Sequence, residues 1–249
     1  MKRSERIVPW PGQSAGRLPL TEMFYSVQGE GRFAGFPALF LRFKYCNLGC
    51  DWCDARFTWD PDAIEAGELL APGDIAGRAG RMVGERKLNP GGLHVVLTGG
   101  EPMLHQQTLS ALIARMNAAG FDFFEIETNG TLVPSRTMCE AISWWNCSPK
   151  LANNGRPQGE NIVPEALRAI AATGRADFKF VVCSPDDVGE IVEQFMPLVP
   201  ADRIILMPEG TSATDQLEAM PWLLDECARH GFKFSPRLHI LAWGNERRR

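Results

Sequence analysis

Hydrophobic positions along the chain fall into short blocks separated by polar breaks or by glycine and proline. Residues 38–43, Ala-Leu-Phe-Leu-Arg-Phe, are a nearly continuous apolar run of strand length, as expected for a strand covered on both faces in a parallel sheet. Comparable runs predict strands over 20–27, 94–98, 123–128, 142–147, 177–183 and 203–207, with a last short one at 232–234. Between them, helical periodicity predicts helices over 106–119, 185–196 and 214–230, the first and last stopped by Gly120 and Gly231. A further helix is expected within 60–88, after a proline- and glycine-interrupted stretch, with Asp74 as its cap ahead of Ile75. This strand–helix alternation predicts an α/β protein built from βαβ units, with polar strand ends gathered on one rim of a parallel sheet. About six such strands suit a partial barrel better than an eight-stranded one at this length.

Composition narrows this little. A chain of 249 residues, 45% hydrophobic and 22% charged, has the makings of one large core. Residues 1–19, with Pro9, Pro11, Gly12, Gly16 and Pro19, are expected to form an irregular arm, leaving 20–249 as a single domain. A formal charge of −4 gives no general attraction to nucleic acid or an anionic membrane, and the locally basic Arg247-Arg248-Arg249 reads as a solvated end. No stretch resembles a signal peptide or approaches the ~18 apolar residues of a membrane span, which predicts a soluble, cytoplasmic protein. Four of the seven cysteines, Cys139, Cys147, Cys183 and Cys227, stand singly among apolar neighbours, as small buried residues do in a reducing compartment. No disulfide is expected.

The other three carry chemistry. Cys46, Cys50 and Cys53 lie within eight residues just after the 38–43 strand, so a parallel sheet would deliver them to its ligand-binding rim. Three close thiolates hold either zinc, which normally takes a fourth protein ligand, or an iron–sulfur cluster with one iron left open. Other strand ends are polar as well. Gln28-Gly29-Glu30-Gly31 sets two glycines around a carboxylate, which permits tight turns and close backbone approach to a ligand. In Gly99-Gly100-Glu101-Pro102 the glycines expose backbone groups, and Glu101 adds a carboxylate able to accept from an ammonium. Asn129-Gly130, Ser148-Pro149-Lys150 and Pro208-Glu209-Gly210 close later strands, and Lys179 lies inside one. The Arg42 guanidinium suits a ligand carboxylate bidentately, or else a structural acid.

The loop Cys46-x3-Cys50-x2-Cys53, followed one strand later by Gly99-Gly100-Glu101-Pro102, resembles the radical S-adenosylmethionine enzymes. That resemblance implies a partial (β/α)6 barrel in which Cys46, Cys50 and Cys53 each bind one iron of a [4Fe–4S] cluster. The amine and carboxylate of S-adenosylmethionine would chelate the remaining iron, and a low-potential donor such as a flavodoxin or ferredoxin would supply the electron. Within that superfamily the chain is similar to the 7-carboxy-7-deazaguanine synthase family of queuosine and deazapurine biosynthesis, on motifs spread from Thr21 onward. They are Gln28-Gly29-Glu30-Gly31, Phe40-Leu41-Arg42, Cys53-Asp54 with Phe57-Thr58-Trp59-Asp60, residues 98–102, Glu127-Thr128-Asn129-Gly130-Thr131, Ser148-Pro149-Lys150, Met207-Pro208-Glu209-Gly210 and Ser235-Pro236-Arg237-Leu238-His239. The family implies a lyase that contracts the ring of 6-carboxy-5,6,7,8-tetrahydropterin, releases ammonia and regenerates S-adenosylmethionine. It implies pterin contacts from Val27, Gln28, Gly29, Glu30, Arg42 and Thr98, with Arg42 facing the carboxylate. By the same resemblance Trp52, Cys53, Asp54, Gly100, Glu101, Ser148, Pro149 and Lys150 contact S-adenosylmethionine, and the enzyme is a homodimer.

One position departs from the family. Its members use Mg²⁺, with a hydroxyl residue directly after the Cys-Asp pair, and here that residue is Ala55. Mg²⁺ is expected to assist still but to bind more weakly, held by substrate and waters with Asp54 or Thr58. A glycyl-radical-activating enzyme would share the cluster and the short barrel, but it needs a docking groove for a large partner, whereas the 28–30 loop and Arg42 suit a small carboxylated substrate. A non-catalytic iron–sulfur or zinc module would leave the polar motifs after so many strands unexplained.

Overall fold

In the computed structural model, which describes residues 7–12, 16–157 and 160–249, the strands form a nine-stranded sheet. β1 (Leu18–Val27) is antiparallel to β2 (Pro37–Phe43) on one side and to β3 (Glu68–Leu70) on the other. From β2 onward the strands run parallel and in chain order: β4 (His94–Gly99), β5 (Phe123–Thr128), β6 (Trp144–Cys147), β7 (Ala176–Val182), β8 (Ile204–Pro208) and β9 (Lys233–Phe234). Six helices connect β3 to β9 in turn: α1 (Pro72–Glu85), α2 (Gln106–Ala118), α3 (Arg136–Ala141), α4 (Pro164–Ala172), α5 (Pro185–Glu190) and α6 (Ala213–His230). α7 (Leu238–Trp243) follows β9. Among the described residues β3 and β9 are the sheet edges, so the barrel is partial and open.

Period-two alternation decides which side chains face the helices and which face the hollow of the barrel. Leu39, Leu41 and Phe43 of β2, Val95 and Leu97 of β4, Phe124 and Ile126 of β5, Phe178 and Phe180 of β7 and Leu206 of β8 share one core with Ile75, Leu112, Ile170 and Leu223 of the helices. The residues between them point the other way. On that face Ala38, Phe40 and Val96 form a small separate apolar cluster, while Arg42, Thr98, Glu125, Glu127 and Lys179 occupy the remaining positions. β7 is buried along its whole length although it contains Asp177 and Lys179, so those two charges are satisfied inside the barrel.

Several element boundaries differ from the sequence reading. β1 starts at Leu18, two residues before the expected strand, and takes in the end of the expected arm. The cap of α1 is Ala71 with Pro72 as the first helical residue; Asp74 lies within the first turn, where it complements the helix dipole instead of capping. The expected 142–147 strand begins at Trp144, because α3 runs to Ala141 after Ser135 accepts from the Met138 amide. The expected 185–196 helix is α only to Glu190 and continues as a π turn over Ile191–Phe195. α4 and α7, of nine and six residues, are too short to establish a helical period in the sequence. Cys147 and Cys227 are buried as expected, but Cys183 is exposed and Cys139 half-buried; all are free thiols. No described helix is long and apolar enough to cross a membrane.

Candidate active site

A cavity of about 290 Å³ opens at the carboxyl ends of the parallel strands. Its walls include Cys46, Cys50 and Cys53, so the loop after β2 does reach the functional rim. Hydrogen-bond donors surround the sulfurs: the Leu48 amide lies 3.4 Å from Cys46 Sγ, Trp59 Nε1 3.3 Å from Cys53 Sγ and Asn154 Nδ2 3.7 Å from Cys50 Sγ. Burial pushes all three thiols up, Cys53 to about 11, so a metal centre here must displace their protons. No three His, Cys, Asp or Glu side chains among the described residues are grouped to hold a single metal ion, and that includes these thiols. Three thiolates suit a cluster that takes one thiolate per iron, whereas zinc normally takes a fourth protein ligand.

The Gly99-Gly100-Glu101 turn packs tightly against the backbone that enters the thiol loop. A Cβ on Gly99 would lie 2.1 Å from the Phe43 carbonyl oxygen, and one on Gly100 2.1 Å from that of Tyr45. The glycines therefore let the end of β4 press against the backbone entering the thiol loop, where the Gly100 and Glu101 amides donate to Phe43 and Tyr45. Glu101 is 1% exposed and does not line the cavity. Its carboxylate accepts from the Met103 amide at 2.9 Å, the Asn129 amide at 2.6 Å and Thr128 Oγ1 at 2.8 Å. Asn129 in turn donates to Asn47 inside the thiol loop. Glu101 thus ties β4 and β5 to that loop from a buried position behind the cavity wall. Pro149 also stands off the cavity, whereas Trp52, Asp54, Gly100, Ser148 and Lys150 line it. Lys150 Nζ donates to Ser148 Oγ at 2.8 Å and lies 5.4 Å from the centre of the Trp52 ring.

Val27, Gln28, Gly29, Glu30, Arg42 and Thr98 all line the same cavity. Gly29 is required because a Cβ there would lie 2.1 Å from His239 Nδ1, and its carbonyl accepts from the Leu238 amide. The 28–31 loop is thereby docked on the segment that follows β9. Glu30 lies 2.5 Å from Lys179 Nζ, 3.0 Å from Arg237 Nε and 4.0 Å from His239 Nε2. Burial would raise the Glu30 carboxyl, but Lys179, Arg237 and His239 together hold it well below the usual carboxylate range. Burial raises Glu127, and the Lys179 ammonium 3.1 Å away only partly offsets that. Gln28 Nε2 donates to both Glu125 and Glu127, at 3.2 and 3.1 Å, which fixes the amide and turns its carbonyl oxygen away from those acids. Glu125 is locked beneath by His94 Nδ1 at 2.6 Å and Asn146 Nδ2 at 2.7 Å.

Glu127, Lys179, Arg237 and His239 were assigned no role from sequence, although all four line the cavity. Strand alternation around Lys179 carried the missing signal. Arg42 combines its two sequence-based alternatives. Its Nε donates to Glu22 at 2.8 Å, a structural pairing, while its Nη atoms have no hydrogen-bond partner among the described residues.

The chain shares 36% identity with 7-carboxy-7-deazaguanine synthase of Pyrobaculum aerophilum, over 93% of this chain and 97% of the relative. With the Escherichia coli enzyme of the same name it shares 35%, over 90% and 97%. This chain belongs to the 7-carboxy-7-deazaguanine synthase family. The crystal structure of QueE from Escherichia coli superposes with a TM-score of 0.67 at 27% identity, covering 90% of this chain and 95% of that one. Residues 27–137 also match a family described as a 4Fe-4S single cluster domain. Membership in the deazaguanine synthase family accounts for both cofactors of the site, a [4Fe–4S] cluster and S-adenosylmethionine.

Proposed function

We propose that this chain converts 6-carboxy-5,6,7,8-tetrahydropterin to 7-carboxy-7-deazaguanine with loss of ammonia. One observation carries the reading: a single cavity joins the thiol loop to a cluster of buried carboxylates, an oriented amide and cations. Cys46, Cys50 and Cys53 would hold the cluster, and Gly100, Ser148 and Lys150, with Trp52, Cys53 and Asp54, would hold S-adenosylmethionine. When bound, these groups supply a radical that takes a hydrogen atom from the substrate. Binding, orientation and proton handling fall to the chain.

The aminopyrimidinone edge of a pterin offers N–H donors, which Glu30 and Glu127 can accept because each carboxylate oxygen retains lone pairs after its internal bonds. The Gln28 carbonyl adds a fixed acceptor beside them. Lys179 keeps Glu30 and Glu127 together at close range, where two carboxylates would otherwise repel. Val27, Gly29 and Thr98 complete that wall, and the free Nη edge of Arg42 suits the substrate carboxylate. Burial lowers His239, which leaves its imidazole neutral near pH 7 and able to exchange a proton during ammonia release. In this reading Glu101 and Pro149 shape the loop and touch neither ligand.

Mg²⁺ finds a poor site. Ala55 offers no side-chain oxygen, and Thr58 is fully buried and does not line the cavity, its hydroxyl donating to the Ala55 carbonyl at 2.7 Å. Asp54 remains, already paired with Arg237. A single carboxylate beside a guanidinium makes a weak magnesium site, so turnover should survive chelation and rise only in the millimolar range. Steady-state rates across a Mg²⁺ titration test this, and saturation at micromolar Mg²⁺ would contradict it.

The same reading implies a flavodoxin- or ferredoxin-type donor, a homodimer and a cytoplasmic location. The deciding assay is anaerobic incubation of the cluster-loaded protein with the carboxytetrahydropterin, S-adenosylmethionine and a reductant. Mass spectrometry should find 7-carboxy-7-deazaguanine, and none formed with the cluster intact would overturn the substrate assignment.

A further inference from the structure

Arg247, Arg248 and Arg249, read from sequence as a solvated end, are solvent-exposed and, with Asn245 and Glu246, line the mouth of the cavity. The point of attachment is Glu22 on β1. The β1–β2 register shifts between Leu20 and Glu22, and such an irregularity re-aims a strand side chain. Glu22 is 6% exposed and receives three guanidiniums: Arg42 Nε at 2.8 Å, Arg247 Nη2 at 2.9 Å and Arg248 Nε at 2.9 Å.

The three arginines are used differently. Arg247 is spent, because Nη1 and Nη2 also reach Glu65 at 2.6 and 3.2 Å and its guanidinium lies 3.5 Å from the centre of the Phe57 ring. Arg42 and Arg248 each hold Glu22 through Nε alone. Their Nη atoms have no hydrogen-bond partner among the described residues, and both side chains line the cavity. Three positive charges meet only two negative ones, Glu22 and Glu65, so one positive charge is left over. Arg248 is further held at φ 65, a left-handed conformation that a non-glycine residue keeps only when its surroundings impose it.

We propose that Arg248 is a second substrate-binding guanidinium, pairing with Arg42 around the substrate's carboxylate, while Arg247 is the positioning residue that clasps this segment to Glu22, Glu65 and Phe57. The inference rests on the carboxylated-pterin reading above. Two forks anchored on one shared acid present a preorganised, singly charged anion site, which distinguishes a carboxylated ligand from one lacking that group.

The test is equilibrium binding without reductant, so that no turnover is needed. The anaerobic, cluster-loaded protein with S-adenosylmethionine is titrated with carboxytetrahydropterin and with the same pterin lacking its carboxylate. Arg248→Ala should weaken the carboxylated ligand by about 10- to 100-fold and leave the other unchanged. Arg247→Ala should produce the same selective loss, and Arg247→Lys should restore part of it, since the ammonium keeps the charge without the fork. Equal affinities in wild type and Arg248→Ala, or equal weakening of both ligands, would overturn the proposal. Wild-type protein that binds the carboxylated pterin selectively but never converts it would instead count against the reaction and leave the Arg248 assignment standing.

Discussion

Replacing Lys179 by methionine is expected to lower the melting temperature by roughly 6–20 °C, the shift that about 3–5 kcal/mol of lost stability produces in a domain of this size. The Lys179 side chain is 4% exposed and stands between Glu30 and Glu127, themselves only 18% and 20% exposed. Both acids raise the ammonium pKa well above its usual value, outweighing the burial that would lower it. Methionine fills the volume but leaves Glu30 with Arg237 and the nearby His239 imidazole, and Glu127 with no cation. Acidification should then narrow the deficit. Glu127 is already raised above its ordinary 4.5 and rises further in the variant, so protonation stabilises the folded state. Stability tied to a raised carboxyl is present at low pH and lost as pH rises through the folded pKa. Melting curves of both proteins at pH 7 and pH 5.5 give the comparison. A deficit below about 1 kcal/mol at pH 7, or one that grows on acidification, would show that the ammonium is not what holds the two acids together.

Much of this arrangement was legible in the chain. The strand order follows from the alternation of blocks, and the thiol loop sits where a parallel strand must deliver it. What the blocks concealed was the face. Lys179 stood out inside its strand and Glu127 within a family motif, but neither block showed that the two side chains meet in the barrel. Separate phases place Phe124, Ile126, Phe178 and Phe180 against the helices and the charged residues between them in the barrel. Pairings across long chain separations were hidden for another reason. Glu22 meets Arg247 and Arg248, and Glu30 meets Arg237, only because β1, the 28–31 loop and the segments after β9 converge at one rim. The Gly99-Gly100 turn was visible, but its close packing was not, since its neighbours are the backbone atoms of Phe43 at the end of β2 and of Tyr45 just beyond it.

Cys50→Ala is expected to abolish turnover together with the cluster while leaving the fold nearly intact. Cys50 is 6% exposed, and its only side-chain hydrogen bond among the described residues comes from Asn154 at 3.7 Å. Asn154 keeps Asn161 as a partner at 2.9 Å, so alanine strands no buried amide. The substitution removes one sulfur, which costs on the order of 1 kcal/mol of packing in a site of this kind. The consequence for the cofactor is much larger, because three thiolates already leave one iron without a protein ligand and two leave a pair. Cys147→Ala is the matched control, since that thiol is fully buried against the Gly130 turn and outside the loop. Iron content, the visible absorbance of the reconstituted protein and product formation should fall together in Cys50→Ala and persist in Cys147→Ala, with the first melting close to cluster-free wild type. A Cys50→Ala protein that retains full iron and full turnover would remove Cys50 from the ligand set. A Cys147→Ala protein that loses its cluster would place the fourth thiol at the site and return the loop to a closed, four-cysteine centre.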